Sequence, residues 1–196
     1  MADSQHSELS GRTLVAYTLA MEAPLLAIGA VWMRARGDNP LAELRPTAQG
    51  LLLGGALGVG ISALSLGSVA LSRRVPALHG WSAFVEGTLG RLLGPAGLPA
   101  LALLSVSAGV GEETFFRGAL QGAVGLVPAA AIFGVAHVGV PSRQTLPFLA
   151  YTTLVGLVLG YVRLSQPLFT LAVAHALVDL IDTAYLHVQD ARRPLA

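Results

Sequence analysis

The residues of this sequence whose types and spacing can do chemistry are Glu112, Glu113, Arg117, His137, His175, Asp179 and Asp182. Glu113 and Arg117 stand four apart with the acid first, the favourable order for an ion pair along one helix face. Glu112 would be turned roughly 100° from Glu113 about a helix axis, free to face a cavity while its neighbour holds the arginine. His175 and Asp179 have the same four-residue spacing, and Phe133 falls one turn before His137, an aromatic wall beside an imidazole. A carboxylate and an imidazole around one water can deprotonate it for attack on a carbonyl. A second histidine with a carboxyl neighbour can steady the developing oxyanion. A metal site fits the same letters, because His137, His175 and a glutamate form a zinc set with a position open for water. The residue types alone leave both chemistries standing.

The elements that must position these groups are apolar. Hydrophobic residues make up 54% of the chain and charged residues 12%, outside the range of ordinary soluble domains, so the expected solvent is a bilayer. Six segments meet or approach the roughly 20 apolar residues of a spanning helix: 13–33, 48–72, 98–121, 124–139, 145–164 and 167–187. The fourth is short but rich in alanine and glycine, suited to tight packing among the others. Residues 75–93 set Trp81, Phe84, Leu89 and Leu92 against His79, Glu86 and Arg91, the pattern of an amphipathic segment lying in the interface. The predicted fold is all-α, a polytopic membrane bundle of about six helices. No linker or internal repeat divides it, so residues 1–196 read as one integral membrane domain with the chemistry in 98–187. A charged side chain at the centre of a span costs roughly 2.5–3.5 kcal/mol on insertion scales, which makes this set a functional site by default.

Composition removes several alternatives. All twelve basic residues are arginine, so a Ser-Lys dyad, a Schiff base and a phosphate-loop lysine are excluded. No cysteine is present, which removes thiolate nucleophiles and Cys-ligated metals. No basic cluster interleaved with aromatics supports nucleic-acid binding. Gly54, Gly55, Gly58 and Gly60 read as helix-packing positions rather than a nucleotide loop. The polar leader with Asp3, His6, Glu8 and Arg12 is expected to remain in the mature chain. Arginine counts, with Arg12, Arg73, Arg74, Arg91, Arg143, Arg192 and Arg193 on one side, lean toward cytoplasmic termini. Glu22 is set aside as a buried or interfacial acid, His6, His79 and His187 as solvated or interfacial groups, and Trp32, Trp81, Tyr151, Tyr161 and Tyr185 as anchors or packing residues.

Three strings, GEETFFRG at 111–118, FGVAH at 133–137 and HALVD at 175–179, resemble the ordered motifs EExxxR, FxxxH and HxxxN/D of the CPBP (CAAX protease and bacteriocin-processing, or ABI) family of intramembrane proteases. The resemblance implies that Glu112 activates the attacking water with His137, that Glu113 and Arg117 support the site, and that His175 and Asp179 bind the oxyanion. Asp179 replaces the asparagine common in relatives, and a carboxylate donates to an oxyanion only when protonated. The implied enzyme is a glutamate-dependent endopeptidase that requires no cofactor, with zinc or another divalent metal on Glu112, His137 and His175 as the other reading. Its implied partners are the bilayer and a membrane-anchored protein or peptide, processed as a CAAX-type terminus, a leader or a sorting tail. The location that the resemblance implies is a prokaryotic plasma membrane. Two other classes compete: a proton- or ion-coupled transporter, which would be expected to show an inverted repeat, and an immunity or scaffold protein without turnover.

Overall fold

The structure is a computed structural model that describes residues 11–75, 79–139, 142 and 145–192. Asp3, His6 and Glu8 of the leader, and Arg143 and Arg193 of the arginine count, lie outside the described residues, as does the side chain of His79. Seven helices carry the fold among the described residues, with no strand: α1 (Gly11–Ala35), α2 (Ala48–Ser72), α3 (Gly80–Leu93), α4 (Leu98–Val124), α5 (Leu126–Val138), α6 (Leu146–Val162) and α7 (Leu168–Ala191). A single turn, Pro40–Glu43, links α1 to α2.

The protein is a polytopic helical membrane bundle. By length and composition α1, α2 and α7 each suffice to cross a membrane, and α3 with α4 makes a further candidate span bent by 109°. At 13 and 17 residues, α5 and α6 are shorter than most single spans. The six apolar stretches are therefore all helical, but not six equal spans. Leu52, Leu64, Met21 and Val31 are exposed on the periphery, while Ser62, Ser65, Glu113, Arg117 and His175 are buried. Apolar outside and polar inside is the arrangement that lipid rewards.

Close helix contact comes from small residues. α7 lies between α2 and α4, α1 packs along α4, and α5 pairs with α6. Gly54 and Gly58 of α2 face the backbone of α7: a Cβ at 54 would overlap Thr170 O, and one at 58 would fall 2.7 Å from Ala174 O. Gly109 lets α4 approach α7 in the same way, at Ala172 and Ala176. Without a hydrophobic drive between helices in lipid, such contact is what holds them together. The chain turns from α4 into α5 at Gly125, whose φ of 89° suits glycine.

The segment read as interfacial is α3, continued through a wider i→i−5 turn at Val85–Leu89. Its apolar face, with Trp81, Val85 and Leu89, covers a cavity inside the bundle. Arg73, at the end of α2, pairs with Glu86 of α3, and Tyr185 of α7 donates to the same carboxylate at 2.9 Å.

Gly54→Leu should lower bundle stability by about 1–3 kcal/mol, because the added side chain must separate α2 from α7. Gly60→Ala, where an added methyl meets nothing within 4 Å, should leave it unchanged or slightly raised. Thermal unfolding of the two variants in one detergent measures the contrast.

Candidate active site

α4 supplies the first motif and changes its winding there. Residues Leu98–Glu112 are ordinary α-helix, and Glu113–Leu120 widen to i→i−5 hydrogen bonding, a distortion frequent at functional sites. Glu112 stands at the junction and lines the cavity. Glu113 points the other way, into the protein, with a side chain 0% exposed. Its Oε1 accepts from Arg117 Nη1 at 2.7 Å and also lies 2.7 Å from His175 Nδ1. One carboxylate thus joins the first motif to the third.

Arg117 is held on two sides. Besides Glu113, its Cζ lies 3.9 Å from the centroid of the Phe133 ring, a cation–π contact strengthened by exclusion of water. The same ring packs on the His137 imidazole at 4.3 Å between centroids, meets His175 edge-on at 5.8 Å, and meets Phe116 edge-on at 5.1 Å. Phe133 is therefore more than a wall beside one imidazole, because it touches the arginine and both histidines.

His137 occupies the last turn of α5, which ends at Gly139 with a φ of 64°. Its Nδ1 lies 2.8 Å from Phe133 O. A carbonyl only accepts, so Nδ1 carries the hydrogen and Nε2 presents a lone pair. That Nε2 lies 3.5 Å from Glu112 Oε2, so a single water can touch both. His175 Nε2 lies 3.6 Å from Asp179 Oδ2, just beyond hydrogen-bond length. The ring has a carboxylate beside each nitrogen.

Glu112, His137 and His175 each offer a ligand atom, all within 4.8 Å of one another. Each imidazole has its second nitrogen on an oxygen acceptor, the partner arrangement of metal-binding histidines. The donor types fit zinc, although a zinc ion holds its ligands at about 2.0–2.2 Å and so needs this set drawn closer.

These groups line one cavity of about 450 Å³ whose walls are mainly apolar. The seven motif residues come together, with Glu113 and Arg117 behind the wall and Glu112, Phe133, His137, His175 and Asp179 on it. Asp182 also faces the cavity. Glu22, set aside from the sequence, lines it from α1, and Trp81, Tyr151 and Tyr185 line it from α3, α6 and α7. An acid in the middle of an apolar span was the available signal for Glu22. His187 stands apart, with Nδ1 2.7 Å from Gly94 O at the α3–α4 turn.

Arg117→Met should destabilise the protein by about 3–5 kcal/mol, because it leaves Glu113 buried without its cation. Adding Glu113→Leu should restore most of that stability, since an apolar pair tolerates the site. The double variant should still lack function, because His175 loses the oxygen that orients it. Unfolding in detergent and a processing assay on the same preparations separate the two effects.

Residues 94–181 match the model of a family described as Type II CAAX prenyl endopeptidase Rce1-like. No curated protein and no solved structure matches the chain. Residues 94–181, the stretch that holds every motif residue above, are similar to this Rce1-like family, a match consistent with the CPBP family.

Proposed function

We propose that the protein is an endopeptidase that hydrolyses a peptide bond of a membrane-anchored protein or peptide, using a water activated by Glu112 and His137. The observation that carries this reading is the Glu112–His137 pair at 3.5 Å on the cavity wall, with the imidazole tautomer set by its bond to Phe133 O. Glu112 takes a proton from the water, and His137 Nε2 orients it by accepting the other hydrogen. The water oxygen attacks the carbonyl carbon, and the carbonyl electrons move onto its oxygen. His175 Nε2–H stabilises that oxyanion in the protonated ring, with Glu113 fixing the ring from Nδ1 and Asp179 orienting it from the cavity side. Collapse breaks the C–N bond, and the proton held by Glu112 passes to the leaving nitrogen.

A divalent metal on Glu112, His137 and His175 is the second reading, and when bound it would polarise the carbonyl and lower the pKa of water. The metal-free reading is favoured by Asp179, whose Oδ2 lies 3.6 Å from His175 Nε2, the nitrogen that a metal would take. The apolar cavity walls suit a substrate that carries its own membrane anchor, whether the cut releases a C-terminal tail or a leader. A prokaryotic plasma membrane is the proposed location.

Mass spectrometry of protein termini should compare cells expressing the intact protein with cells expressing Glu112→Gln at equal level. A set of processed termini should fall by about 10²–10⁴ in rate in the variant. Chelator treatment of the purified protein should leave cleavage intact. Identical profiles, with an effect still seen on deleting the gene, would favour the scaffold or transporter reading. Loss of cleavage on chelation would move the mechanism to the metal.

A further inference from the structure

The cavity is acidic beyond what the hydrolytic step uses. Glu22, Glu112, Asp179 and Asp182 all line it, and among the described residues no arginine does. The chain contains no lysine, and Arg117 is engaged behind the wall by Glu113 and Phe133. Glu22 is the informative member. It comes from α1, outside the segment that matches the family. The residue is only 9% exposed, and its Oε2 is buried without a hydrogen-bond partner. Glycine at position 111 makes room for it, since a Cβ there would fall 2.6 Å from that oxygen.

The charged groups facing Glu22 are Glu112 of α4 and His175 and Asp179 of α7. Only the histidine can be positive, and it is already committed to Glu113 at 2.7 Å. A carboxylate at this depth with no cation of its own is costly, and a cationic group arriving in the cavity would relieve it. The cavity also offers aromatic faces. Trp81 lies 5.6 Å from Tyr151 and 6.1 Å from Phe148 between centroids, and all three rings line the same space. Such rings attract guanidinium and ammonium groups.

We infer that the cavity selects a substrate with a guanidinium or ammonium group beside the cleaved bond, and that Glu22 is the specificity residue that receives it. This rests on the hydrolytic reading above and gives it a substrate class, an apolar anchored segment with a basic residue flanking the scissile peptide.

The test uses the whole protein in detergent after chelator treatment, with dodecylguanidinium and its uncharged counterpart dodecylurea as probes. Binding is followed by quenching of tryptophan fluorescence, since Trp81 lines the cavity. Dodecylguanidinium should bind about tenfold tighter than dodecylurea, the scale of one charge-assisted contact. Glu22→Gln should remove most of that preference while leaving dodecylurea affinity and the thermal midpoint in place. Asp38→Asn, at an acid paired with Arg36 outside the cavity, should keep the preference. Should Glu22→Gln fail to fold, Glu22→Asp serves instead and should weaken only the cationic probe. Equal binding of the two probes, or a preference untouched in a folded Glu22 variant, overturns the inference. Anchored peptides with arginine or citrulline beside one bond then separate the two claims. Equal cleavage of both overturns cation selection and leaves hydrolysis standing. Cleavage of neither, with guanidinium still bound selectively, overturns hydrolysis and leaves the cation site.

Discussion

A guanidinium inside an apolar bundle must be neutralised where it lies, and Arg117 is neutralised by one carboxylate and one ring. Glu113 accepts from it at 2.7 Å, and Phe133 lies beneath its Cζ at 3.9 Å. Both partners reach further. The Glu113 oxygen that holds Arg117 also fixes His175, and the Phe133 ring that shields Arg117 also packs on His137 and His175. Burial makes each contact costly to lose, because water cannot replace it. The two imidazoles on the cavity wall are therefore positioned through a single buried charge, and three helices are locked in register by it.

That arrangement depends on helices approaching more closely than ordinary side chains allow. Gly109 brings α4 against α7, so that the first and third motifs meet. Gly29 of α1 presses on the backbone at Phe115, where α4 has already widened. Gly111 lets the Glu22 side chain lie across the same helix. Small residues serve packing and site geometry at once here, because α4 can accept neighbours on two faces only if both lack bulk.

The cavity follows from the bend between α3 and α4. A straight continuation would carry the chain away from the site, whereas the 109° turn folds α3 back over it. Arg73, Glu86 and Tyr185 fasten that cover to the ends of α2 and α7. The apolar face of α3 is then turned toward the chamber that would hold a lipid-anchored segment, which gives amphipathicity a second use besides lying in an interface.

The sequence by itself determined the bilayer as solvent, an all-helical bundle, and the three motifs on three helices. It did so because apolar length, helical spacing and the cost of buried charge are local properties of the letters. The 48–72 helix appears with the same ends, since polar and turn-forming residues bound it on both sides. What only the tertiary structure decided is where the second nitrogen of each histidine goes, why one carboxylate serves two partners, and that Phe133 touches three of the site's side chains. The 3.6-residue period places Glu113 beside Arg117 but is silent on His175, 62 positions away. It was also the fold that turned Glu22 from an isolated acid into a member of the cavity, because the direction of its side chain depends on how α1 crosses α4 at Gly111. Periodicity reports which face a residue occupies, and only packing reports what that face meets.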